Sequence, residues 1–137
     1  MSALRPRPVA DLHSEPYWQG LRDHALLVQE CDDCLVRLHP SRPCCPRCLS
    51  TDLRWVRVSG AGVVVGYSVV AQPFVAGIST PYTVLLVSFS DAPGVELIAN
   101  LVKGDSDVSV GDAVRVSFDV IDDELTLANF QLDANAA

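Results

Sequence analysis

No apolar run in this 137-residue chain approaches the roughly 20 residues that a membrane-spanning helix needs. The opening stretch, MSALRPRPVADLHSEPYW, lacks the apolar core of a secretory signal. The longest apolar runs, such as VVVGYSVVA, read as strands. Together these absences point to a cytoplasmic protein with no membrane partner. Positive charge is also scarce where it would matter. Through Arg57 eight arginines face seven acidic residues, but from Val58 onward only Lys103 and Arg115 face ten, for a total of −7. Nonspecific nucleic-acid binding draws most of its affinity from a basic groove, and the second half carries the reverse. Catalytic constellations are missing too. The chain offers no Ser–His–Asp set, no paired carboxylates and no second metal cluster. Asp122-Asp123-Glu124 reads as a solvated turn, and His13 and His24 as surface residues.

Cysteine is what the chain does have. Cys31 and Cys34 form one C-x-x-C, and Cys45 and Cys48 form a second in the sequence C-P-R-C. Two such knuckles can place four thiolates on the corners of a tetrahedron around one Zn2+. Pro40, Pro43 and Pro46 stiffen the approach to the second pair. A four-thiolate site is closed to water and substrate, so the expected zinc is structural; four thiolates could also hold iron. Cys44 competes for a place in the site but has the poorer spacing, and His39 is a possible substitute ligand.

Residues 1–29 read as an arm and a short helix. Ser14 is placed as its N-cap, Pro16 lies in the first turn, and Tyr17, Trp18, Leu21 and Ala25 form one apolar stripe. Gly20 keeps the helix short. That stripe either caps a core edge or docks on a partner. Leu26–Gln29 reads as a brief strand entering the first knuckle, and residues 30–57 as the ribbon, with its own strand at Leu35–His39 and Trp55 packed against it. Residues 58–137 read as five strands: Val58–Ala71, Tyr82–Ser90, Val95–Val102, Ala113–Val120 and Glu124–Leu132. Val114, Val116, Phe118 and Val120 are expected to point inward. Gly60, Gly62 and Gly66 suit bulges in a bent first strand, since a phosphate-cradling loop would need a helix behind it. The fold class is therefore mainly β: an N-terminal helix, a four-cysteine zinc ribbon and a five-stranded Greek-key OB barrel. The loop from Gln72 to Pro81 carries Phe74, Val75 and Ile78. It either folds back over the barrel mouth or forms a contact surface.

The succession PYWQGL, C-x-x-C, RPCCPRC, S-T-D-L-x-W-x-x-V-S-G-x-G and VGDAVRVSF, spanning roughly residues 15–132, resembles the zinc-ribbon plus OB-fold proteins that accompany acyl-CoA enzymes. The resemblance implies a noncatalytic partner of thiolase-superfamily enzymes or lipid-transfer-protein-like aldolases, and in some members of acyl-CoA hydratases. It carries the ligand role to Cys31, Cys34, Cys45 and Cys48. Leu49 departs from the glycine usual after the last cysteine, and Cys44 is a further departure. The role implied is to complete an enzyme assembly and to help handle acyl-CoA, with Trp18, Phe74, Ile78 and Tyr82 as interface candidates. CoA is anionic, so any direct contact should come from first-half arginines or from the partner. Two alternatives stand beside this reading. One is a nucleic-acid-binding OB-fold and zinc-ribbon protein, for which Tyr82 and Phe89 could stack on bases, although no Lys or Arg lies between Arg57 and Lys103. The other is an independent acyl-CoA enzyme.

Overall fold

Proline and aspartate set the start of the one helix found in the computed structural model, which describes residues 5–102 and 107–133. Helix α1 spans Glu15–Arg22 with Pro16 in its first turn. Ser14 occupies the N-cap position but makes no side-chain cap bond. Its hydroxyl instead accepts from the Asp11 N–H at 3.0 Å, and the Asp11 carboxylate accepts from the Ser14 N–H at 2.8 Å. The preceding turn has taken the groups that a cap would use. His24, in the left-handed region at φ 58°, ends the helix and leaves Ala25 outside the stripe. Gly20 is needed for contact: a Cβ there would lie 2.8 Å from the Leu27 side chain.

Two sheets follow. The first has the order β2-β1-β3, from β1 (Leu26–Cys31), β2 (Arg37–Leu38) and β3 (Leu53–Val58). The second has the order β6-β5-β4-β7-β8, from β4 (Ala61–Val70), β5 (Tyr82–Phe89), β6 (Ala92–Asn100), β7 (Ala113–Val120) and β8 (Thr126–Leu132). All the strand pairs within the two sheets are antiparallel. The second sheet curls until its outer strands meet at a parallel bridge between Leu101 and Phe130. There the Val102 N–H donates to the Phe130 carbonyl at 2.8 Å. This is a curled OB-type sheet, long first strand included.

Several strand readings shift: of Leu35–His39 only Arg37–Leu38 is strand, and the last strand begins at Thr126. The expected strand from Val58 is two strands, broken at Gly60, where φ is 82° and a Cβ would lie 2.3 Å from the Val116 side chain. β6 begins at Ala92, which pairs with Phe89 across an irregularity in register. Val120, expected inward, is 58% exposed, because it closes β7 beside the Asp122 turn and past the end of the core.

One hydrophobic core serves both sheets. Leu21 of α1, Leu26 and Val28 of β1, and Val64, Val87 and Phe130 of the barrel belong to a single cluster. Each such side chain contributes about 1.5–3 kcal/mol on burial. Polar ties cross the same junction. Glu30, buried in the ribbon sheet, accepts from Arg37 at 2.9 Å and pairs with Arg54. Those hydrogen bonds, Arg37's first, hold its carboxyl below the usual carboxylate range. Arg37 reaches on to the Asp91 carbonyl, and the Asp91 carboxylate accepts from the Ser59 N–H at 2.8 Å.

Candidate functional site

The two C-x-x-C segments fold into copies of one knuckle. In the first, the Leu35 N–H donates to the Cys31 carbonyl at 2.9 Å and the Cys31 N–H to the Val36 carbonyl at 2.9 Å. In the second, Leu49 and Cys45 repeat the pattern with Cys45 and Ser50, both at 2.8 Å. The residue after each second cysteine must turn left-handed to close the knuckle. Leu35 and Leu49 do so at φ 64° and 66°, where glycine is the cheaper choice. Leu49 therefore keeps the knuckle geometry that glycine usually supplies.

These knuckles bring the thiols of Cys31, Cys34, Cys45 and Cys48 within 4.8 Å of one another. Cys31 and Cys48 are 3.5 Å apart and Cys34 and Cys45 are 3.6 Å apart, sulfur to sulfur. A tetrahedron of thiolates at the usual zinc–sulfur distance of about 2.3 Å has edges of about 3.8 Å. The four sulfurs thus fit one Zn2+ with little movement. Burial opposes ionisation of Cys45, but the Cys48 and Arg47 backbone N–H groups, with Cys34 and Cys48 themselves, outweigh it and lower the thiol to about 7. Cys48 moves the other way, to about 12. The Ser50 backbone favours its thiolate, but the thiol's bond to Cys31, loss of water and the other two cysteines prevail. Such a set of thiols shares one proton balance, which a dication resolves by taking all four as thiolates. Neither alternative ligand belongs to the group. Cys44 is a half-buried free thiol. His39 lies against Tyr17, ring centres 5.3 Å apart, and its burial lowers its pKa. Among the described residues no other set of three or more His, Cys, Asp or Glu side chains is gathered this way.

A second feature lies beside α1. Trp18, Ile78 and Tyr82 line one groove with Arg5, Val84 and Ile98. Trp18 is half-buried, edge-on to Tyr17 with ring centres 5.1 Å apart, and packs on the core. An adjoining recess, of about 420 Å³, shares Arg5, Ile78 and Tyr82 and adds Ser117, Phe118 and Asp119. Phe74 stands apart from both, 76% exposed on the loop between β4 and β5. Sequence reasoning did not find Arg5, because an arm residue gives no periodic signal. His24 is exposed, as expected, and stacks on Phe118 with ring centres 5.1 Å apart. Among the described residues no helix is long and apolar enough to cross a membrane.

Known proteins share this arrangement. Residues 18–54 match the model of the ChsH2 rubredoxin-like zinc ribbon domain, and residues 55–119 that of the ChsH2 C-terminal OB-fold domain. A probable enoyl-CoA hydratase alpha subunit of Thermomonospora curvata is 35% identical over 130 residues, 94% of this chain. The 3-oxo-4,17-pregnadiene-20-carboxyl-CoA hydratase alpha subunit of Mycobacterium tuberculosis is 29% identical over 113 residues, 82% of this chain. The chain spans only 40% and 35% of the length of these two relatives. Among solved structures, the Ltp2-ChsH2(DUF35) aldolase superposes with a TM-score of 0.84 at 31% identity, covering 92% of this chain and 98% of that one. A DUF35 protein from Sulfolobus solfataricus, at 18% identity and a TM-score of 0.62 over 87% of this chain and 84% of that one, shares the fold. With both domain models matched in order and a solved relative covered almost end to end, the chain belongs to the ChsH2 (DUF35) family of zinc-ribbon and OB-fold proteins.

Proposed function

We propose that this chain is a noncatalytic accessory subunit of an acyl-CoA enzyme complex of thiolase-like type, an acyltransferase or a steroid side-chain aldolase. The observation that carries the reading is the likeness, across 98% of its length, to a chain solved in an Ltp2-ChsH2 aldolase. The site chemistry supports it. A closed four-thiolate centre has no open position for substrate, so Zn2+ held by Cys31, Cys34, Cys45 and Cys48 would fix the ribbon and leave turnover to the partner. Free thiols of this kind suit a reducing cytoplasm. We assign the ribbon to residues 30–57 and the OB-fold unit to 58–137. Trp18, Ile78 and Tyr82 are assigned to the partner interface through their common groove, with Phe74 on its own loop. Arg5, lining that groove, is the first-half arginine placed to help handle an anionic acyl-CoA.

A hydratase assembly is the second reading, favoured by the names of the two curated relatives. The test is to purify the tagged chain from its own cells at moderate salt, identify what accompanies it and assay both species. A thiolase-like or hydratase-like subunit in near-equal amount, inactive or unstable alone, is the expected result and tells the two readings apart. Turnover by the isolated chain, or a chain that emerges alone with its metal, sinks the proposal.

A further inference from the structure

A β-sheet edge presents unpaired N–H and C=O groups, and proteins protect such edges with charge, shortness or closure. Three edges of this molecule follow the rule. β3 carries exposed Arg54 and Arg57, β2 is two residues long, and the outer strands of the barrel meet at Leu101 and Phe130. The fourth does not. β4 pairs with β7 only over Ala61–Val63, while it pairs with β5 as far as Val70. The register shifts between Val64 and Gly66, and this bulge steers the strand away from β7. Val64 still bonds Gly111 and Asp112. From Val65 to Val70 the β7 side of the strand has no backbone partner among the described residues.

That free edge is also apolar. Val65, Tyr67 and Val69 are 40%, 48% and 57% exposed, and no residue from Val58 to Ser90 is charged or a histidine. Tyr67 and Val69 border a recess shared with Pro81, Thr83, Asp107 and Val108. Unpaired backbone is matched by another extended backbone, which singles out a strand as the occupant. Charge narrows the source. From Val58 onward ten acidic residues face two basic ones, so a second copy would bring two acidic barrels edge to edge.

We infer that the free edge of β4, from Val65 to Val70, receives an added strand from the partner enzyme. That strand is apolar along its length and basic at the end that meets Asp107 and Asp112. The inference rests on the accessory-subunit reading and adds a second contact to the groove of Trp18, Ile78 and Tyr82.

The experiment compares the complex purified from native cells for the wild type, Val69→Lys, and Val120→Lys as a control on an equally exposed valine at the end of β7. Metal content and thermal midpoint serve as the check on folding. Amide exchange over Gly66–Val70 is measured free and in complex. Val69→Lys should lower the recovered partner by about tenfold or more, and Val120→Lys should not. The Gly66–Val70 amides should slow in the wild-type complex, which should weaken between ~50 and ~500 mM salt. If Val69→Lys does not fold, the exchange data on the wild type decide. A stoichiometric enzyme partner retained by Val69→Lys, with unchanged amides, overturns the strand while the accessory role stands. Edge pairing between two copies of this chain overturns the strand as well. Absence of any enzyme partner overturns both.

Discussion

The ribbon and the β4–β5 hairpin solve the same problem, a small sheet with little core of its own, in opposite ways. The ribbon gathers four thiols around one point and surrounds them with charge: Glu30 lies between Arg37 and Arg54, and Arg54 also reaches Asp32 at 3.2 Å. The hairpin has no charged residue and leaves Tyr67, Val69 and Phe74 in solvent. A ribbon can be completed from within, by a metal. A bare apolar edge is completed from outside. Internal bonding marks what is structural here, and its absence along β4 among the described residues is the observation behind the proposed added strand.

Breaking the ribbon should have the largest effect. Cys45→Ser removes a fully buried ligand. Structural zinc in small modules is worth about 10–16 kcal/mol of apparent binding energy, so we expect a wild type with one tightly held ion and a variant with none. Metal analysis beside thermal unfolding checks this; an unchanged melting curve in the variant would contradict it. Breaking the barrel instead should spare the metal. Phe130 is completely buried at the seam, and Phe130→Ala should destabilise the chain by about 3–5 kcal/mol in urea. Its metal content should stay at one ion.

The junction between the regions gives a smaller, pH-dependent effect. Burial pushes the Tyr17 phenol up to about 12. Its unfolded value is about 10. A raised folded value means that stability is fully present below about pH 10 and drains as pH climbs towards 12. Tyr17→Phe should flatten this alkaline limb in melts taken across that range. The smallest effect sharpens the knuckle symmetry. Leu49→Gly removes a left-handed side chain that is 74% exposed, and it should raise stability by up to about 1 kcal/mol, with zinc still bound.

What the sequence revealed follows the range of the forces involved. C-x-x-C spacing is local chemistry, so the four thiols could be grouped from letters alone. β7 alternates cleanly, and its bounds, Ala113–Val120, could be read directly. Features set by distant contacts were not legible. Ser14 looked like a cap until Asp11 took its hydroxyl. The bulge expected at Gly66 is present, but that the strand leaves β7 beyond Val63 could not be read, because pairing is set by the partner strand. Trp18 and Tyr82 reach one groove through α1 and β5, elements joined only by the folded chain.

The core that holds Val28 beside Val64 and Phe130 has a mechanical consequence. Because the ribbon sheet and the barrel share one buried cluster, moving the knuckles relative to the barrel would have to expose that core. An enzyme strand added at β4 as proposed would meet knuckles already set against the barrel by that core, so a second contact there would carry little further orientational cost.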